Sequence, residues 1–248
     1  MNRRSLLTLT AAAPLLQAAA DSSGARAIKA IAFDGFAVFD PRPIAARAEA
    51  IFPGKGAELT AAWRTRQFEY TWLRTLTGSY IDFWSITEAA LVFTARLLKI
   101  ELSMQARQKL MRGFLELRPW AEAPAALQAL RDAGIRLVLL SNFTSAMLHT
   151  AVASAGLEAL FEPHLSTDRV RAYKPDPRAY RMAVDALKLR RDEIVFAAFG
   201  GWDAAGAKTF GFPTFWVNRM SSPIEELGSA PDGTGTNLND LASFVLHG

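Results

Sequence analysis

Four segments of this sequence run into polar residues of types that can act together on a single bond. Asp34 closes the apolar run at residues 28–33, Ser141-Asn142 follow residues 135–140, Lys174 lies in AYKPDPRAY and Asp203 in GGWDAAGAK. A carboxylate buried at the end of a strand stays ionised only beside a cation, because desolvation raises its pKa and an opposite charge lowers it. Lys174 supplies that cation and Asp203 can orient it, whereas two carboxylates without the lysine would push one another toward protonation. The set reads as a carboxylate nucleophile with its ammonium partner, a second acid, and a hydroxyl and amide pair. Each member has a plainer reading: an aspartate after a strand is often a helix cap or turn former, and Lys174 with Asp203 could be a structural ion pair. Their convergence from several strand ends favours the catalytic reading. Pro175 restricts the backbone of Lys174 to an extended conformation and so helps aim its side chain.

The elements that must position these residues repeat along the chain. Strands are expected at residues 28–33, 135–140, 164–167, 194–198 and 213–217, separated by helices at 123–133, 145–155, 177–187 and 203–210. Strands alternating with helices give an α/β fold, here a Rossmann-like parallel sheet core covered on both faces. Residues 41–118 differ, carrying helix-period apolar residues such as Trp63, Phe68, Trp72, Leu73 and Leu76 with few strand signals. They read as an inserted α-helical cap between core segments 28–40 and 119–248, with Pro41, Pro43 and Pro119 at its boundaries. Ligands of open parallel sheets sit outside the carboxyl ends of the strands. A cap inserted after the first strand would close over that crevice and exclude water.

Half of the 248 residues are apolar and 21 % are charged, spread without low-complexity tracts, which suits a folded chain. Residues 1–20 read as a signal peptide: Arg3-Arg4, a largely apolar stretch, then Ala18-Ala19-Ala20. The paired arginines suggest twin-arginine export to a periplasmic or secreted location, and the stretch is short for a stable membrane anchor. Without its two arginines, 26 basic residues face 24 acidic ones, and no basic run is present, so nucleic acid is an unfavoured partner. The chain has no cysteine, and His149, His164 and His247 share no ligand spacing, so they read as surface or structural residues.

The segments AFD at 32–34, AAWRTRQFEYTWLR at 61–74, LSNFT at 140–144, YKPDPRAY at 173–180 and GWDAAGAKTFGF at 201–212 resemble the type II (S)-2-haloacid dehalogenases of the haloacid dehalogenase superfamily. The resemblance implies that Asp34 displaces halide from a short 2-haloacid and forms an ester that water then cleaves, with no cofactor and no metal. It implies that Arg64 and Asn142 hold the departing halide, that Phe83 and Trp202 form an apolar wall, and that Phe68 belongs with these substrate contacts. It further implies that Ser141 binds the substrate carboxylate, Lys174 the nucleophile, Asp203 the hydrolytic machinery, and that Tyr180 supports the lysine. A homodimer is the implied assembly. From the residues alone, Phe68, Trp72 and Phe83 read more safely as cap core, and Arg64 as a solvated helix residue.

The match breaks at two places. Asp34-Gly35-Phe36-Ala37-Val38 stands where the family usually has Asp-Leu-Tyr-Gly-Thr, and Ala198, Phe199 and Gly200 stand where serine and asparagine are typical. Losing a donor aimed at developing charge costs about 10² to 10³ in rate, so a slow or differently selective enzyme is expected, with Ala37, Val38, Ala198 and Gly200 making room for a bulkier substrate. Two rivals stay open. A magnesium phosphatase of the superfamily needs an acid two residues after the nucleophile, where this chain has Phe36. An exported relative that binds small carboxylates without turnover is the other.

Overall fold

The computed structural model describes residues 28–247, so the expected signal peptide at 1–20 lies outside the described residues. The chain runs β1 (Ala30–Phe33), α1 (Gly35–Val38), β2 (Phe39–Asp40), α2 (Arg42–Ile51), α3 (Gly56–Leu76), α4 (Phe83–Leu97), α5 (Met104–Arg112) and β3 (Arg118–Pro119). It continues with α6 (Ala123–Asp132), β4 (Arg136–Ser141), α7 (Ser145–Ala155), β5 (His164–Ser166), α8 (Pro177–Leu187), β6 (Ile194–Ala198), α9 (Gly201–Phe210), β7 (Thr214–Val217), β8 (Gly233–Gly235) and α10 (Leu238–His247).

β1, β4, β5, β6, β7 and β8 form one sheet in the order β5-β4-β1-β6-β7-β8, parallel at every pairing. The chain steps outward from β1 to β4 and β5, then crosses back to β6, so β1 lies at the switch point where α/β sheets open a crevice. β1 itself, AIAF, is buried throughout. Side chains alternate across a strand, so Ile31 and Phe33 join the core layer shared with α6, α7 and the cap, while Ala30 and Ala32 face Tyr180, Leu187 and Phe196 on the other layer. A strand with both faces covered must be apolar on both.

α2 to α5 fall between the antiparallel pair β2 and β3, whose register joins Phe39 to Pro119 and Asp40 to Arg118. Asp82, Ser103 and Thr144 cap α4, α5 and α7 by accepting from backbone N–H groups in the first turn. The cap is tied to the core by Tyr80, whose hydroxyl donates to Asp168, and by the Tyr173 hydroxyl, which donates to the Ile81 carbonyl at 2.5 Å. The Trp120 indole N–H donates to the Phe36 carbonyl at 3.0 Å beside the β2–β3 pair.

Of the apolar residues at helical spacing in α3, Trp63 is buried but Leu73 and Leu76 are 53 % and 84 % exposed, on the side turned from the core. β8 and α10 have no counterpart in the sequence expectation. Gly-Thr-Gly offers no alternation by which to recognise a strand, and β8 is held by backbone pairing to β7.

Candidate active site

Asp34 ends β1 and does two things at once. Its Oδ2 accepts from the Phe36 backbone N–H at 3.0 Å, capping the short α1 turn, while Oδ1 accepts from Lys174 Nζ at 2.7 Å. The plain reading as a helix cap and the reading as a site carboxylate are therefore both realised by one side chain.

Lys174 is fully buried and its ammonium also donates to Asp203 Oδ2 at 2.5 Å. The other Asp203 oxygen accepts from the Tyr180 hydroxyl at 2.7 Å. This packing needs Gly206 on α9: a Cβ there would stand 2.6 Å from both Pro175 Cβ and the Tyr180 hydroxyl oxygen. Burial alone would push the Lys174 ammonium down, but the charges of Asp203 and Asp34 outweigh it and leave the group above its ordinary value. Burial pushes the Asp203 carboxyl up, to about 6, with the Asp34 charge adding to the rise and Lys174 opposing it. The two rises have different causes: the negative charges of the two acids raise the lysine against its burial, whereas burial and the second acid raise Asp203 against the lysine. Tyr180 is raised well above its usual range by burial and the Asp203 charge, so it stays a donor.

Ser141 and Asn142 follow β4. Asn142 Oδ1 accepts from the Lys174 backbone N–H at 3.0 Å, which orients the amide. Ser141 Oγ accepts from the Phe143 backbone N–H at 3.2 Å. A Cβ at Gly35 would lie 3.0 Å from that hydroxyl oxygen, so the glycine leaves Ser141 its place.

The cap supplies Arg64, Phe68 and Phe83. The Arg64 guanidinium lies 5.0 Å from the Phe199 ring centroid, 5.6 Å from Phe68 and 6.0 Å from Phe36. Among the described residues it forms no salt bridge and no hydrogen bond. Burial lowers its pKa, and the Asp34 charge acts against that. Arg64 is thus a partly dehydrated cation beside Asp34, rather than the solvated helix residue of the plain reading.

Asp34, Arg64, Phe68, Phe83, Ser141, Asn142, Trp202 and Asp203 border one cavity of about 20 Å³. Lys174 and Tyr180 stand behind the two acids. Phe36, Phe143, Phe199 and Gly200 complete the lining. Phe143 was not singled out from sequence; its signal is its place directly after Asn142 in LSNFT, and its ring meets Phe36 edge-on at 5.0 Å. Phe68 and Phe83 reach the cavity and do more than fill the cap core. Trp72 stays behind them, 6.2 Å from Phe68 and 5.6 Å from Trp202.

The expected enlargement around Ala37, Val38 and Ala198 is not present. All three are fully buried in the core layers and none borders the cavity. Gly200 does border it, but a Cβ there would stand 2.8 Å from Trp202 Nε1, so the indole occupies the space that the missing side chain leaves. No group of three or more His, Asp or Glu residues able to hold a metal ion occurs among the described residues.

A sheet with a switch-point aspartate, a buried lysine and a helical cap over the strand ends is the frame of a known hydrolase family. The family model of the haloacid dehalogenase-like hydrolases matches residues 8–211, and the chain belongs to that family. Within it, the chain is 43 % identical to an (S)-2-haloacid dehalogenase of Pseudomonas sp. (strain YL), over 88 % of this chain and 94 % of that one. A crystal structure of an L-2-haloacid dehalogenase superposes with a TM-score of 0.87 at 42 % identity, covering 89 % of this chain and 99 % of that one. An L-2-haloacid dehalogenase of Xanthobacter autotrophicus with chloropropionic acid covalently bound superposes with a TM-score of 0.81 at 33 % identity, covering 89 % and 99 %.

Proposed function

We propose that the protein is a hydrolytic dehalogenase of 2-haloalkanoic acids that works through an ester on Asp34 and without a metal. The observation that carries this reading is the unequal bonding of the Asp34 oxygens. Oδ1 is held by Lys174, whereas Oδ2 accepts only one backbone N–H and is the oxygen free to attack. Oδ2 adds in line to the halogen-bearing carbon, and the carbon–halogen electron pair leaves with the halide. Arg64 and the Asn142 amide N–H receive the halide, and Ser141 donates to the substrate carboxylate.

In the ester, Oδ1 is the carbonyl oxygen and Lys174 stands where negative charge develops when water adds to the carbonyl carbon. Asp203 receives the water proton. Collapse breaks the bond from that carbon to Oδ2; the departing alkoxide takes the proton held on Asp203 and leaves as a 2-hydroxy acid, and the remaining hydroxyl proton passes to solvent, restoring the carboxylate with one oxygen taken from water. The sum is haloacid plus water giving hydroxy acid, halide and a proton.

The donor set speaks against magnesium, which takes oxygen ligands in octahedral array. Here an ammonium fills the space between the two acids, and Phe36 replaces the acid a phosphatase would need. The binding-protein reading draws support from Val38, Ala198 and Gly200, which bring no hydroxyl or amide to the nucleophile. Incubation with 2-chloropropionate while following free halide separates these. Release that Asp34→Asn abolishes supports the dehalogenase; carboxylate binding without release supports the binder; chelator-sensitive phosphate release from a phosphoester supports the phosphatase. Export through residues 1–20 and a homodimeric assembly complete the proposal, checked by cell fractionation and by sedimentation.

A further inference from the structure

The cavity at Asp34, about 20 Å³, has room on the scale of one or two water molecules. A second chamber of about 320 Å³ lies in the cleft between cap and core, within the range of about 300–1,000 Å³ typical of small-molecule sites. The two share three walls, Phe36, Arg64 and Phe199, which form the partition between them. Its lining is mostly apolar, with Ile44, Ala61, Trp63 and Phe114 from the cap. Its charged residues, Arg42 and Arg64, are both cations, and no aspartate or glutamate borders it. Phe199, one of the departures from the family pattern, puts a ring in the partition, with the Arg64 guanidinium 5.0 Å from its centroid, so the partition is made of side chains that can turn rather than of backbone.

We propose that this chamber receives the hydrocarbon chain of the substrate, so that the preferred substrate is a medium-chain 2-haloalkanoate rather than a two- or three-carbon acid. The inference rests on the dehalogenase reading for its reaction, but the chamber can be tested without turnover. A chain leaving the reacting carbon displaces the Arg64 side chain from the Phe199 ring, against which it lies at 5.0 Å, and buries its methylenes against the cap helices. Each methylene so buried raises kcat/KM about fourfold.

Halide release is compared for 2-bromopropionate and 2-bromooctanoate in the wild type and in Ala61→Phe and Ala45→Phe. These two variants fill the chamber from positions that are not fully buried and lie outside the catalytic cavity. The wild type should favour 2-bromooctanoate by at least about tenfold, and each variant should lose about tenfold on it while keeping 2-bromopropionate within about twofold. No preference for the longer acid, or an equal loss on both, overturns the proposal. If neither acid releases halide, the dehalogenase reading fails and calorimetric titration with octanoate decides the chamber. Octanoate binding that both variants weaken about tenfold upholds it, and no binding overturns it.

Discussion

On the core side of the cavity both oxygens of Asp34 and both oxygens of Asp203 have hydrogen-bond donors, and Lys174 bridges the two acids. On the cap side Arg64 is bounded by ring faces, with no hydrogen bond among the described residues. The core side is over-determined: move one group and another loses its partner. The cap side is held by dispersion and ring electrostatics, which tolerate rotation and displacement. Chemistry that must not vary is therefore built on strand ends, and selectivity is left to side chains that can repack.

Lys174→Met attacks the rigid side and should have the largest effect. It strands two buried carboxylates, a class of change that costs about 3–5 kcal/mol, so thermal unfolding moves sharply downward and halide release disappears. Adding Asp203→Asn should recover part of the stability but none of the activity. Equal stability of Lys174→Met and the wild type would dissolve the contrast.

Arg64→Lys attacks the adaptable side. If Arg64 receives the halide as proposed, removing its planar donor should lower kcat/KM by about 10² to 10³, while stability stays within about 0.5 kcal/mol because no hydrogen bond is lost. A large fall in unfolding temperature would mean that Arg64 is structural.

The pH dependence separates the two sides more finely. In the proposed mechanism Asp203 takes the water proton and must be ionised to do so, and burial has pushed its carboxyl up to about 6. As the pH falls through about 6 the carboxyl gains a proton, and kcat should drop about tenfold per unit below that point. The same profile should persist in Arg64→Lys, since the titrating group lies on the other side. A flat profile down to pH 4.5, in the range of an ordinary carboxyl at about 4, would remove Asp203 from the proton transfer.

The smallest expected effect comes from Gly200→Asn. A Cβ there would stand 2.8 Å from Trp202 Nε1, so the indole must leave its place between Phe68 and Gly200. Tryptophan emission should shift while stability changes by less than about 1 kcal/mol. Unchanged emission would place Trp202 away from Gly200.

The contrast between the two sides also explains what was legible in the sequence. Asp34, Asn142, Lys174 and Asp203 could be read because a parallel sheet forces its strand ends together whatever the packing around them. The reach of Arg64, the two-sided role of Phe199 and the part played by Phe143 depend on ring orientations that only tertiary packing sets. The room expected from Ala37, Val38 and Ala198 failed for the same reason. Small side chains at fully buried positions are packed around rather than left open. Leu73 and Leu76 show the limit of periodicity, since helical spacing marks a stripe without saying which neighbour covers it.

The proposed reaction turns on one step, in which Asp34 forms an ester whose carbonyl carbon is then attacked by water. A single turnover with excess enzyme in oxygen-18 water, followed by mass spectrometry of the Asp34 peptide and of the hydroxy acid, tests it directly. Hydrolysis of an Asp34 ester puts one heavy oxygen on Asp34 and leaves the product unlabelled. Heavy oxygen in the product, with Asp34 unlabelled, would show water attacking the substrate itself and would rule out the ester.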